Sequence, residues 1–451
     1  MSKSKVLLTA PVSSRSGYGN HSRDIAVSLI NNENYDVYIN DVPWGACPRT
    51  AISDTSVTNN LKIKQCFLST KHLTQQPDVY IDLRIPNEFE QHGKFNIGMT
   101  AGIETNAVSP KWIECCNKMD LIITTSTHSS DGFTKSTYDQ LKQLPNGQQE
   151  KVGVLKLEKP IETLFEGADT EIYKKIDSIG NEINELFTEI SEEFTFLFVG
   201  QWGKGGYGED RKDIPKTIKI FYEAFANKKE QPALVLKTSG ATTSILDREE
   251  CLTKIKQVKD KFPKDWKLPN VYLLHGDLTD EEMNELYNHP KVKAMVSFTH
   301  GEGFGRPLLE ASMVGLPIIA SGWSGQLDFL DSTKSILVSG ELKPVPQSQH
   351  WKDIIIPESS WFNISENHAY QSLTSMFNNY SEYKSSAEEL MNINKEKFTM
   401  DAMSSKLYKM IEERIPKPVS LKLPALKLGG DNKSTKVKLP DLSNTLTEGV
   451  K

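Results

Sequence analysis

Thr299-His300-Gly301-Glu302-Gly303-Phe304-Gly305-Arg306-Pro307-Leu308-Leu309-Glu310-Ala311 is the stretch on which the fold turns. An apolar strand-like run at 294–297 leads into it, three glycines make a loop, and Pro307 stands near the first position of a helix. The helix should stop at Gly315, and another apolar run, 317–320, follows. Strand, glycine loop and helix start in that order let the backbone approach a ligand closely. The unpaired N–H groups of the helix start then form a site for an anion.

Working outward, the same alternation of short apolar runs and helical patterns recurs on both sides. Upstream lie runs at 194–199, 233–236 and 271–274, the first apolar enough to be buried on both faces. A separate series opens at 5–10 and continues through 35–39, 79–83, 96–100 and 121–125, with Ile25, Ala26, Leu29 and Ile30 at helical spacing between the first two. Two series of this kind predict an α/β chain with two parallel sheets. The segment 156–173 reads as the linker between them, and 367–414 reads as helices with no strand signal.

Composition sets the outer limits. The 451 residues are too many for one ordinary core, and with 37% hydrophobic and 25% charged residues they have the make-up of a globular protein of mean hydropathy −0.45. No apolar run approaches the roughly 20 residues that cross a bilayer, and the basic start at Lys3 and Lys5 leads into a first strand rather than a secretion signal. The cysteines, Cys47, Cys66, Cys115, Cys116 and Cys251, are odd in number and form no CxxC pair. Neither a disulfide framework nor a zinc site is expected, and the natural setting is a reducing cytoplasm. The net charge of −6 gives no overall basic footprint for nucleic acid. Beyond Ile415 the character changes. Residues 416–451 hold seven Lys and three acids, a net of +4 that leaves −10 on the rest of the chain, and they have no amphipathic period. A disordered Lys/Pro-rich tail is expected there. Its near-repeat, Leu421-Lys422-Leu423-Pro424 against Val437-Lys438-Leu439-Pro440, reads either as low-complexity coincidence or as a docking peptide for a protein partner.

The chemistry follows from the quoted stretch. An anion site at a helix start suits a leaving diphosphate, Glu302 sits in the loop where a sugar can be hydrogen-bonded, and Glu310 lies a turn into the helix where it can reach a ribose diol. Glu302 and Glu310 within EGFGRPLLEA resemble the signature of the family-4, or group 1, retaining glycosyltransferases. Arg211-Lys212 after the 194–200 strand resembles that family's phosphate loop, residues 164–173 its interdomain segment, and 273–278 the strand and loop that line its nucleobase. The likeness covers about residues 5–410. It implies a GT-B fold, two Rossmann-like domains facing across a cleft: 1–160 on the acceptor side, 161–395 for the nucleotide-sugar donor, 396–415 as a helix crossing back, and 416–451 as the tail.

Carried over by position, the resemblance gives Lys212 to the diphosphate, Glu310 to the ribose, the Phe304 and Gly305 amides to phosphate, and Glu302 to the transferred sugar. Gly303 belongs to the same loop, Gly276 and Leu278 to the base site, and Gly17 and Gly19 to a glycine loop bordering the cleft. Glu104, after another strand, is the candidate acceptor-side carboxylate; His21 and His128 are candidate cleft residues. The family has Arg where this chain has Gln201, so Arg211 or Lys204 is expected to supply the second cation. The implied co-substrate is a nucleotide-diphosphate sugar, UDP-linked first, with no metal and a hydroxyl acceptor. The stretches SFTHGEGFGRP and SGWSGQLDFL are also similar to glycosyltransferases of large bacterial viruses. That implies a modified base of phage DNA as acceptor in the host cytoplasm, with loops at 48–60 and 126–137 and Arg49, Arg84 and Lys135 on phosphates. Two rivals stand beside this reading. A catalytically silent GT-B binding protein would release no nucleotide diphosphate. A dinucleotide-dependent oxidoreductase is disfavoured by Ser22 at the third glycine position and by the long gap from Ala10 to Gly17.

Overall fold

The computed structural model describes residues 3–69, 73–145, 147–240 and 242–415. Its first half runs β1 (Ser4–Ala10), α1 (Gly17–Asn31), β2 (Tyr35–Asp41), α2 (Thr58–Gln65), β3 (Val79–Leu83), β4 (Phe95–Thr100), α3 (Pro110–Cys116), β5 (Leu121–Thr124), α4 (Thr127–Lys135), the hairpin β6 (Tyr138–Gln143) and β7 (Gln149–Leu155), and β8 (Ile161–Thr163). The second runs α5 (Asn181–Leu186), β9 (Thr195–Val199), α6 (Ile214–Phe225), β10 (Ala233–Lys237), α7 (Ile245–Lys259), β11 (Val271–Leu274), α8 (Asp280–Asn288), β12 (Val292–Ser297), α9 (Arg306–Met313), β13 (Ile318–Ser321) and β14 (Ile336–Val338). The hairpin β15 (Gly340–Pro344) and β16 (Ser360–Ile364) follows, then α10 (Glu366–Asn378), α11 (Tyr380–Lys397) and α12 (Met400–Glu412).

Each half is built on a six-stranded parallel sheet, ordered β2-β1-β3-β4-β5-β8 in the first and β11-β10-β9-β12-β13-β14 in the second. In both, the chain starts near the middle, moves one way and then switches sides, which puts the strand ends beside the switch at the place where such sheets bind ligands. The apolar runs explain the order. Val79, Tyr80, Ile81 and Leu83 of β3, and Phe196, Leu197 and Phe198 of β9, are all fully buried, as central parallel strands covered on both faces require.

Two short passages join the halves, and they lie side by side. The Ala168 amide donates to Phe398 O and the Met400 amide to Ala168 O, both at 2.9 Å. A side chain on Gly167 would come within 2.6 Å of Thr399 O, so only glycine lets the strands touch there. Beyond this crossing α12 packs on the first half, its Met403, Leu407, Met410 and Ile411 entering the same core as Ile25 and Leu29 of α1. Ser404 Oγ and Ser28 Oγ meet at 2.7 Å, and Arg414 pairs with Glu162.

Several elements differ from expectation. The linker span contains β8, a three-residue strand that closes the first sheet and is too short to carry a period. Residues 126–137, expected as an acceptor loop, form α4, with Ser126 capping it by accepting from the Ser129 amide. The hairpin β6–β7 pairs only with itself, and its largely exposed strands gave no strand signal. The strands β14, β15 and β16 were likewise unanticipated. The expectations for the tail, disorder and partner docking, lie outside the described residues.

Candidate active site

The loop between β12 and α9 and the loop between β9 and α6 meet at an ion cluster whose centre, Lys212 and Glu302, is buried. Lys212 Nζ lies 2.5 Å from Glu302 Oε1, while Arg211 Nη1 lies 3.4 Å from Glu302 Oε2 and 3.3 Å from Glu104 Oε1. Lys212 is 9% exposed and Glu302 7%. Burial alone would raise the Glu302 carboxyl, but the Lys212 and Arg211 cations together hold it below its ordinary value. The cluster is an ionised carboxylate gripped by two cations. It joins Glu104 of the first half to Lys212, Arg211 and Glu302 of the second.

Local backbone accounts for this placement. Gly305 caps α9 with φ +99°, and Pro307 occupies the first turn. Asp213, before α6, is itself left-handed at φ +48°. His300 holds the two loops together: its Nδ1 lies 2.6 Å from Phe362 O, its Nε2 lies 3.3 Å from Asp213, and its ring stacks on Trp361 at 4.2 Å. The Glu302 amide donates to Ser324 Oγ, and its carbonyl accepts from the Gly325 amide.

Sequence reasoning gave the loop glycines to a ligand, but two of them serve a closer neighbour. A Cβ on Gly301 would stand 2.3 Å from Glu104 O, and one on Gly303 would stand 2.6 Å from Ala101 O. Gly303 O in turn accepts from Ser126 Oγ at 2.5 Å and Thr125 Oγ1 at 3.2 Å. These glycines let the backbones of the two halves touch. We expect Gly301→Ala to force the loops apart at a cost of about 1–3 kcal/mol, read as a lower thermal midpoint together with lost activity; an unchanged midpoint would show that the contact is slack.

Of the donor-side candidates, Gly17, Leu278 and Glu310 line a cleft of about 810 Å³ between the halves, together with Gln201 and Arg306. Glu310 is 5% exposed; Arg306 Nε lies 2.8 Å from its Oε1, and Tyr287 OH donates to its Oε2 at 3.2 Å. Gly276, at φ +123°, turns its carbonyl toward Lys237 Nζ at 2.6 Å. Gly19 does not line the cleft: a Cβ there would meet Ser14 O at 2.0 Å, so its glycine serves packing. Phe304 is buried and packs against Phe329. Arg211, not Lys204, stands beside Lys212 at Glu302; the recorded Lys204 contact is its carbonyl accepting from Gln349. Gln201 reaches Gly240 O at 2.8 Å. His21 is buried and burial pulls it down to about 3, making it a neutral packing residue, whereas His128 contacts Ile103 O and the edge of Trp323.

Some calls are not brought together. Arg49, Arg84 and Lys135 are each held by carboxylates, Arg49 by Asp41, Arg84 by Asp82 and Glu88, Lys135 by Asp131. They do not form a free cationic row for phosphates. Other residues were missed: Arg306, Asp24, Tyr287 and Lys237, and the Asp247–His275 pair (2.8 Å) that anchors the Gly240 amide at the cleft rim. Arg306 had a signal, since Arg and Glu four apart on a helix pair readily. Among the described residues no group of three His, Cys, Asp or Glu could hold a metal ion, and no helix is long and apolar enough to cross a membrane.

Residues 210–357, the span holding Arg211, Lys212, Glu302 and Glu310, match the family model of glycosyl transferases group 1. That match spans about a third of the chain. The chain as a whole has the GT-B fold, by likeness to solved structures that share little sequence with it. The structure of Anabaena HepE in complex with UDP-glucose is 12% identical, covers 91% of this chain and 100% of its own, and has a TM-score of 0.57. Sucrose-phosphate synthase from Thermosynechococcus elongatus is 12% identical over 91% and 99% of the two chains, with a TM-score of 0.58. An E. coli protein bound with UDP-2-fluoro glucose is 11% identical over 92% and 100%, with a TM-score of 0.56. No curated protein matches the chain significantly in sequence.

Proposed function

We propose that the protein is a glycosyltransferase that moves a sugar from a UDP-linked donor to an acceptor hydroxyl with retention of anomeric configuration. The observation that carries this reading is the Lys212–Glu302–Arg211–Glu104 cluster, buried at Lys212 and Glu302. Inversion needs a free carboxylate base facing the acceptor. Glu302 is held below its ordinary value by Lys212 and Arg211, which makes it a poor proton acceptor, and Glu104 is paired with Arg211 at 3.3 Å. Retention asks instead for stabilisation of the departing diphosphate, and Lys212 at the start of α6 is a point charge suited to it. In the proposed step the bond from the anomeric carbon to the diphosphate oxygen breaks, the acceptor oxygen bonds to that carbon on the same face, and its proton passes to the leaving phosphate oxygen. Complexes of the structural neighbours with UDP-glucose support the choice of donor. The five free cysteines fit a reducing compartment.

Proton NMR of the product formed from an α-linked UDP-sugar tests the mechanism: an α-linked product is expected, and a β-linked one overturns retention. The acceptor proposed is the hydroxyl of a modified DNA base, which the likeness of SFTHGEGFGRP and SGWSGQLDFL to viral enzymes supports and the pairing of Arg49, Arg84 and Lys135 with carboxylates does not. If duplex DNA is the acceptor, log affinity falls linearly with log salt; transfer to a glycan with no DNA binding at low salt overturns it.

A further inference from the structure

Among the described residues, the one ionic bridge between the halves that also reaches Glu310 runs through Arg306. This residue opens α9, one turn before Glu310, and faces Asp24 on α1 across the cleft. Its guanidinium uses separate atoms for the two, Nε to Glu310 Oε1 at 2.8 Å and Nη1 to Asp24 Oδ2. All three side chains line the cleft yet are largely shielded, with 13%, 15% and 7% of Arg306, Asp24 and Glu310 exposed. Tyr287 fixes the other Glu310 oxygen. Arg306 thus fills one side of the carboxylate and leaves the remaining lone pairs for a ligand.

We propose that Arg306, held by Asp24 from the opposite wall, is the positioning residue that presents Glu310 to the ribose hydroxyls of the donor, so that ribose recognition is complete only with the two halves closed. This rests on the donor reading above. The surroundings explain why a cation is needed. Asp280 from α8 and Glu166 from the interdomain segment repel Glu310, Asp24 from α1 is felt by both of those acids, and Arg23 acts on Asp24. His21, fully buried on α1, is neutral there, and Tyr173 and Tyr287 remain protonated. Without Arg306 the acids would repel one another and Glu310 would hold a proton, becoming a poorer acceptor.

Calorimetry on the full chain tests this with whichever of UDP, GDP and ADP binds most tightly, against its 2′-deoxy counterpart. The unmodified protein should prefer the ribonucleotide. Asp24→Asn and Arg306→Lys should weaken ribonucleotide binding about 5- to 10-fold, leave the 2′-deoxy nucleotide nearly unchanged, and so collapse the preference; Asp24→Glu should restore part of it. Equal weakening of both nucleotides, or an undiminished preference, overturns the proposal by showing an ion pair that only supports the fold. Circular dichroism and a melting curve identify a variant that has failed to fold, and the conservative Asp24→Glu then carries the comparison. Failure of all three nucleotides to bind the unmodified protein would instead bring down the donor reading itself.

Discussion

Replacing Lys212 by Met should lower turnover about 10²- to 10³-fold, the loss found when one preorganised donor to a developing negative charge is removed. Donor affinity should move much less, because the charge on the departing diphosphate grows on the way to the transition state and the missing ammonium is felt most there. The variant should still fold. Glu302 loses its 2.5 Å partner but keeps Arg211 at 3.4 Å, so it is not left as a bare buried charge, and the stability cost falls below the 3–5 kcal/mol of a fully broken buried pair. Saturating-donor kinetics beside a melting curve separate the effects. A variant that turns over normally, or one whose defect lies wholly in donor affinity, removes Lys212 from the reaction.

Glu310→Ala should act on the other quantity. It removes charge-assisted hydrogen bonds worth about 1.5–3 kcal/mol, a fall of roughly 10- to 150-fold in donor affinity. The same carboxylate gives the unmodified protein a pH signature. Burial pushes the Glu310 carboxyl up to about 7, against the pull of Arg306. The ionised form is the better acceptor for ribose hydroxyls. Donor affinity should therefore be complete above that pH and decline as pH falls through it, since the proton and the ribose compete for one carboxylate. The Glu310→Ala variant should bind weakly at every pH between 5 and 9, with no such step. A step that survives in the variant would belong to another group, with Glu166, raised to about 8, the first to examine.

Much of this architecture was legible because it is written in short-range signals. Every central strand of both sheets was an apolar run bounded by polar or glycine residues, and parallel strands buried on both faces need no alternation to be recognised. The loop before α9 was legible for a related reason: glycines, Pro307 and the Glu302–Glu310 spacing are local. What was not legible depends on residues far apart in sequence. Glu104 meets Arg211 and Asp24 meets Arg306 only because the halves close on one another, and nothing near Asp24 in the chain marks it. Gly301 and Gly303 show the limit from the other side. Their small size was noticed, but its reason, backbone contact with Glu104 and Ala101, lies two hundred residues away. The hairpin β6–β7 escaped notice because its strands are largely exposed, without a buried face to set a period of two.

The side-by-side passage of the chain at Gly167 and Thr399 has a mechanical consequence. A body joined at two distant points can shear or twist, but one joined by adjacent threads turns about a single pin. The backbone hydrogen bonds from Ala168 to Phe398 and from Met400 to Ala168 bind both threads into that pin, and α12 is bolted to the far side by its own apolar face. Opening of the cleft then reduces to one angle. Contacts between the halves away from that pin, among them those of Gly301 and Gly303, the Ser126 hydroxyl and the Arg306 bridge, would act as latches at a lever arm from it.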